Sequence, residues 1–164
     1  MPRLAKSRMP RILVIDDDEA VREATAMVLE EERFEVVGVP DGKSGIEAVK
    51  AGSFDLVIVD LFMPGIDGLQ TTKAIRQINP SVPVIAVSGF MLGNRRLEMP
   101  NFETMATEVG AFSTLYKPFQ AAALVQAIEQ AFARAAPPAL GRRHTVARRS
   151  TPRTNGSERP PIRR

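Results

Sequence analysis

Apolar positions along this chain follow two alternating rhythms. Short runs dominated by apolar residues at 11–15, 34–39, 55–59, 82–87 and 112–116 are separated by stretches in which apolar residues recur every three or four positions. Short runs rich in Val and Ile predict strands, most of them buried on both faces. After the first run, Ala20, Val21, Ala24, Val28 and Leu29 alternate with charged residues at helical spacing, and Asp18 stands where a helix cap belongs. Asp41-Gly42 opens a second helical stretch that closes near Gly52, and the turn at 63–68 leads into a third that reaches about Ile78 before Asn79-Pro80. Residues 89–111 are the least regular, with a helix expected over about 101–109 and a stop at Gly110. The Ala- and Leu-rich stretch 120–134 predicts the last helix, ended by Pro137-Pro138.

Strands alternating with helices predict a parallel sheet covered on both sides, a doubly wound α/β domain. The expected winding is flavodoxin-like, with strand order 2-1-3-4-5. In such sheets ligands sit beyond the carboxyl ends of the strands. At those ends the chain places Asp16, Asp17 and Asp18 after the first strand, Asp60 after the third, Ser88 after the fourth, and Lys117-Pro118 after the fifth.

Each of these residues alone has an ordinary explanation: a cap, a solvated strand end, a turn hydroxyl, a surface charge. Their joint placement at one edge does not. Carboxylates crowded there repel by about 4 kcal/mol per pair at ~4 Å, even at an effective dielectric near 20. A cation relieves that repulsion, and oxygen-only ligands without His or Cys suit Mg²⁺. Asp60, on the central strand, is the natural nucleophile toward phosphorus, and the acyl phosphate it would form needs its charge neutralised by metal and amine. Lys117 supplies the amine. Ser88 can donate to a phosphoryl oxygen, and Gly89 beside it leaves room for that oxygen. Phe62 follows Asp60 by two residues, where its backbone carbonyl is a candidate metal ligand and its side chain packs or shields the site.

The segments Ile12-Leu-Val-Ile-Asp-Asp-Asp-Glu19, Asp55 to Gly68, Val84-Ile-Ala-Val-Ser-Gly89 and Tyr116-Lys-Pro-Phe119 together resemble the receiver domain of bacterial response regulators, over about residues 10–134. The resemblance implies Asp60 as phosphoacceptor, Asp16 and Asp17 as the acidic pair, Ser88 as the switch hydroxyl and Lys117 as the phosphate partner. It further implies a cis Lys117-Pro118 bond, Mg²⁺, and a sensor histidine kinase or histidine phosphotransferase as donor. The implied role is a phosphorelay switch in the cytoplasm that acts through protein contacts, and not an enzyme. Two departures stand out. The chain between Ser88 and Lys117 is longer than the family pattern by roughly two helical turns, so the fourth helix and its approach are expected to be remodelled. Three residues before Lys117, where the family often has an aromatic that swings inward, stands Thr114; Tyr116 and Phe112 are the aromatics that could substitute.

With 44% hydrophobic and 25% charged residues, the chain has the composition of a globular domain, and the absence of Cys excludes disulfides and thiolate chemistry. No apolar run is long enough to span a bilayer. Charge divides the chain: residues 135–164 hold eight Arg and one acid, a net of +7, which leaves −4 for the rest of a chain whose total is +3. The expected organisation is an extension at 1–9, the domain at 10–134 and a basic tail at 135–164. Arg clusters neutralise phosphates, yet the tail's Pro, Ser and Thr content and lack of an aromatic platform fit a solvated, disordered end better than a nucleic-acid or membrane contact. Two rival functions share the expected fold. A phosphatase of the haloacid-dehalogenase type needs a second Asp where Phe62 stands, and a flavin module would set its phosphate against the aspartates.

Overall fold

A computed structural model describes residues 8–63, 65–92, 95–97 and 101–135. The first seven residues of the expected extension and residues 136–164 of the basic tail lie outside them. Five parallel strands form the main sheet: β1 (Arg11–Ile15), β2 (Glu35–Val39), β3 (Leu56–Asp60), β4 (Val84–Ser88) and, last in the chain, β7 (Ser113–Tyr116). Their order is β2-β1-β3-β4-β7, the winding expected from the sequence.

Burial explains why the central strands were so plain in the sequence. Every residue of β3 and β4 is buried, as are four of the five in β1, whereas the edge strands β2 and β7 are at most half-buried. Side chains of the central strands alternate between two apolar layers. Leu13, Ile15, Val57, Val59, Val84 and Ala86 face the layer completed by Ile75 and Phe102, and Ile12, Val14, Leu56, Ile58, Ile85 and Val87 face Leu29, Leu124 and Ile128. Full burial of each such Leu or Ile contributes about 1.5–3 kcal/mol. A slip of one residue in any central strand would exchange the two sets, so the packing fixes where each strand ends.

Caps set the helix starts. Asp18 accepts from the Ala20 and Val21 amides at the head of α1 (Glu19–Glu31), Asp41 from Ser44 at α2 (Gly42–Ala51), and Asp67 from Gln70 at α3 (Gly68–Ile78). Such a cap is worth about 1 kcal/mol. The Ser44 backbone hydrogen bond also holds the Asp41 carboxyl below its ordinary value. The final helix, α5, spans Ala121–Ala135. Among the described residues, no helix is long and apolar enough to cross a membrane.

The largest surprise lies between Ser88 and Lys117. Part of the extra length forms a second, antiparallel sheet, β5 (Phe90–Leu92) with β6 (Arg95–Leu97), in the register Phe90↔Leu97 and Leu92↔Arg95. The fourth helix, α4, covers only Phe102–Glu108 and starts at Asn101, which has φ +68° and offers no side-chain cap. Strands of three residues are too short to show a period.

Candidate functional site

The carboxyl edge of the sheet brings the expected residues to strand ends. Asp16 and Asp17 follow β1, Asp60 ends β3, Ser88 ends β4, and Lys117 follows β7 with a cis bond to Pro118. Asp16, Asp60 and Ser88 are each no more than 5% exposed, while Asp17 faces solvent. Carboxylate oxygens of Asp16, Asp17 and Asp60 lie within 4.8 Å of one another.

Lys117 ties the two buried acids together. Its Nζ lies 2.6 Å from Asp16 Oδ2 and 2.9 Å from Asp60 Oδ2. The other oxygen of each acid accepts a backbone amide: Asp16 Oδ1 from Asp18 at 2.9 Å, and Asp60 Oδ1 from Phe62 at 2.9 Å. Burial pushes the Asp60 carboxyl above its ordinary pKa despite the opposing pull of the Lys117 charge and the Phe62 amide. Burial alone would lower Lys117, but the two carboxylates outweigh it and raise the ammonium above its ordinary value. Three acids and one ammonium leave two negative charges for a divalent ion to offset. An oxygen-only set of this span fits Mg²⁺, which binds through one or two carboxylates and keeps several waters.

Close backbone approaches hold these parts in place. The Lys117 amide donates to the Ser88 carbonyl, joining the ends of β7 and β4. A side chain at Gly89 would fall on the Lys117 Cβ, so the space there admits the lysine stem, whereas the sequence suggested room for a phosphoryl oxygen. Gly68 is another such position, since a Cβ there would meet the Asp60 carbonyl and the Leu61 backbone. Sequence reasoning passed over that role, although Asp67-Gly68 stood within the recognised motif.

Ser88 lies one residue beyond Val87, which faces Asp60 across β3 and β4. The Phe62 side chain is half-buried against the layer that contains Ile75. Tyr116 pairs with Ser88 in register and packs on Phe102 of α4, with ring centroids 5.2 Å apart. Phe112 lies in the opposite layer, with the Arg134 guanidinium 5.8 Å from its ring centroid. Of the two aromatics considered in place of Thr114, Tyr116 is the one whose ring packs against a ring of α4 among the described ring pairs. Beside the site, a groove of about 760 Å³ runs between α1 and α5, from Asp17, Asp60 and Lys117 down to Val28 and Leu124.

Comparison with known proteins accords with this geometry. The family model for the response regulator receiver domain matches residues 12–129. The transcriptional regulatory protein CseB of Streptomyces avermitilis is 37% identical over 117 residues, which cover 71% of this chain and 46% of that protein. The chain therefore spans less than half the length of that relative. A response regulator receiver domain protein from Clostridium thermocellum aligns with TM-score 0.67 and 30% identity, over 77% of this chain and 96% of the other. The CheY-like receiver domain protein of Methanospirillum hungatei JF-1, at 23% identity and TM-score 0.71 over 77% of this chain and 96% of its own, shares the fold. The chain belongs to the response regulator receiver domain family, whose members are phosphoacceptor switches of two-component signalling.

Proposed function

We propose that Asp60 is the phosphoacceptor of this chain. One Asp60 carboxylate oxygen attacks phosphorus, and the bond from phosphorus to the donor breaks with its electron pair leaving on the donor atom, a histidine nitrogen when the donor is a phosphorylated histidine kinase or phosphotransferase. Lys117, poised between Asp16 and Asp60, supplies positive charge to the incoming phosphoryl oxygens. Ser88 donates a hydrogen bond to one of them. Asp16, Asp17 and Asp60, with the Phe62 carbonyl, would hold Mg²⁺, which supplies further charge neutralisation when bound. The observation that carries this reading is the Lys117 ammonium within hydrogen-bonding reach of both buried acids, with the third acid's oxygen inside the same 4.8 Å cluster.

The phosphatase alternative gains no support, because Phe62 stands where that chemistry needs its second acid. Receiver domain homologues work with sensor histidine kinases, and this chain is placed in the same kind of exchange, in the cytoplasm, with output through contact with another protein. Phosphorylation biases an existing conformational equilibrium by its added charge of about −1.5 to −2. The deciding experiment incubates the full chain with a small phosphodonor and Mg²⁺ and records intact mass for the parent and Asp60→Asn. One phosphoryl adduct on the parent alone is expected; an equal adduct on both proteins would displace Asp60.

A further inference from the structure

Asp16 is gripped from four directions, and one grip comes from a residue with no place in the chemistry so far. Its amide donates to the Val39 carbonyl of β2 at 3.2 Å, and its side chain is held by the Asp18 amide and Lys117. Its carbonyl accepts from Arg22 Nη1 of α1 at 2.8 Å. Arg22 reaches it by laying its aliphatic stem across Gly38 of β2, where a Cβ would stand only 3.1 Å from Arg22 Cγ and 3.2 Å from Cδ. The half-buried arginine thus crosses the edge strand and ends on the carbonyl of the first acid after β1.

We propose that Arg22 is a positioning residue for the phosphoacceptor site, an inference that rests on the reading of Asp16 and Asp17 as the acidic pair. The sheet order sets β2 and β3 on opposite sides of β1. A planar trans peptide points its carbonyl and the following N–H in opposite directions, so a carbonyl drawn toward β2 turns the Asp17 N–H toward β3 and Asp60. Arg22 therefore holds the negative end of this peptide dipole away from the acids and fixes the turn from which Asp17 projects. Without it, the carbonyl loses a charge-assisted partner and the turn is left to two contacts on Asp16's own side chain and one on its amide. Groups that orient a cation ligand in this indirect way change metal affinity by about tenfold or more when removed.

The test uses the full chain with Arg22→Met, which keeps the stem over Gly38 and deletes the donors, and Arg22→Lys, which restores one donor. Without metal, amide hydrogen exchange at Asp17 and Asp18 should quicken in Arg22→Met and recover in part in Arg22→Lys. With Mg²⁺ added in calorimetry, Arg22→Met should bind about tenfold more weakly than the parent, and Arg22→Lys should fall between them. Unchanged exchange, or a lower melting temperature with unchanged Mg²⁺ affinity, would reduce Arg22 to a packing residue and overturn the proposal. If the parent itself takes no Mg²⁺, the reading of the acidic pair fails, and the metal-free exchange alone decides whether Arg22 seats the turn.

Discussion

The two edges of the main sheet handle charge in opposite ways. At the amino edge, Arg8 pairs with Asp55 at 2.8 Å and Arg11 with Glu35 at 2.8 Å, one cation to each acid, with Arg8 and Glu35 exposed and Asp55 and Arg11 half-buried. Arg11 also lies over the Phe54 ring, 4.9 Å from its centroid. At the carboxyl edge one ammonium serves two buried acids with a third nearby. Exposed pairs contribute about 0–1 kcal/mol, while buried charges without a full complement cost several. The amino edge is built to be neutral and replaceable. The carboxyl edge retains a charge imbalance that no folding requirement explains, and an imbalance of that sign invites a cation and resists a bare phosphate.

If that contrast is sound, removing a cation should matter far more at one edge than at the other. Lys117→Met should destabilise the metal-free protein by about 3 kcal/mol in urea unfolding, with partial recovery in Mg²⁺, whereas Arg8→Met should cost under ~1 kcal/mol. The pH dependence has a defined sign: the folded ammonium is raised above 10.5, so its stabilisation is complete below that value and fades as the pH climbs past it. Equal losses for the two variants would erase the distinction between the edges.

Removing an acid at the carboxyl edge should act in the reverse direction. Asp60→Asn is expected to stabilise the metal-free fold by about 1–2 kcal/mol while abolishing phosphoryl uptake. Because the folded Asp60 carboxyl is raised above 3.8, the native state holds this proton more tightly than the unfolded chain does. The group's contribution is therefore most favourable below 3.8 and is lost as the pH rises through the folded value. The advantage of Asp60→Asn over the parent should accordingly grow across that window and level off above it. A destabilised Asp60→Asn at neutral pH would mean that the edge is not charge-strained.

A glycine pair sharpens the comparison further. Gly89→Ala should cost about 1 kcal/mol and slow phosphoryl uptake about tenfold or more, since the methyl group displaces the Lys117 stem. Gly52→Ala, whose added Cβ would stand 3.3 Å from the tip of flexible Arg11, should stay within ~0.5 kcal/mol of the parent. The smallest effect is kinetic. Phe62→Asn should shorten the lifetime of the acyl phosphate by a factor of a few, under ~1 kcal/mol in barrier, by admitting water that the aromatic ring excludes. A longer lifetime in the variant would show that Phe62 packs without shielding.

Legibility in the sequence followed burial. Residues 55–59 and 82–87 announced strands because strands covered on both faces have no polar positions to blur them, and the acids and Lys117 drew notice as the residues that break those runs. Asp18 and Asp41 were readable as caps because capping is a local event. The paired strands β5 and β6 escaped because their pairing is too brief to leave a period, whereas α4, with Asn101 and Val109 at its cap positions, lies where a helix over about 101–109 was expected. The approach of the Lys117 stem to Gly89 was not readable, since it depends on a residue 28 positions away in sequence. Arg22 showed only helical amphipathicity; its contact crosses from α1 over β2 to the end of β1, a path that no periodicity encodes.

The bond between Lys117 and Asp16 closes over 101 residues of chain. A nascent polypeptide emerging from the ribosome would carry Asp16, Asp17 and Asp60 well before the arrival of Lys117, the ammonium that bridges Asp16 and Asp60. Under the proposed reading, competence to receive a signal waits on β7, the last strand among the described residues, and a copy halted before Lys117 would lack the ammonium that joins Asp16 to Asp60.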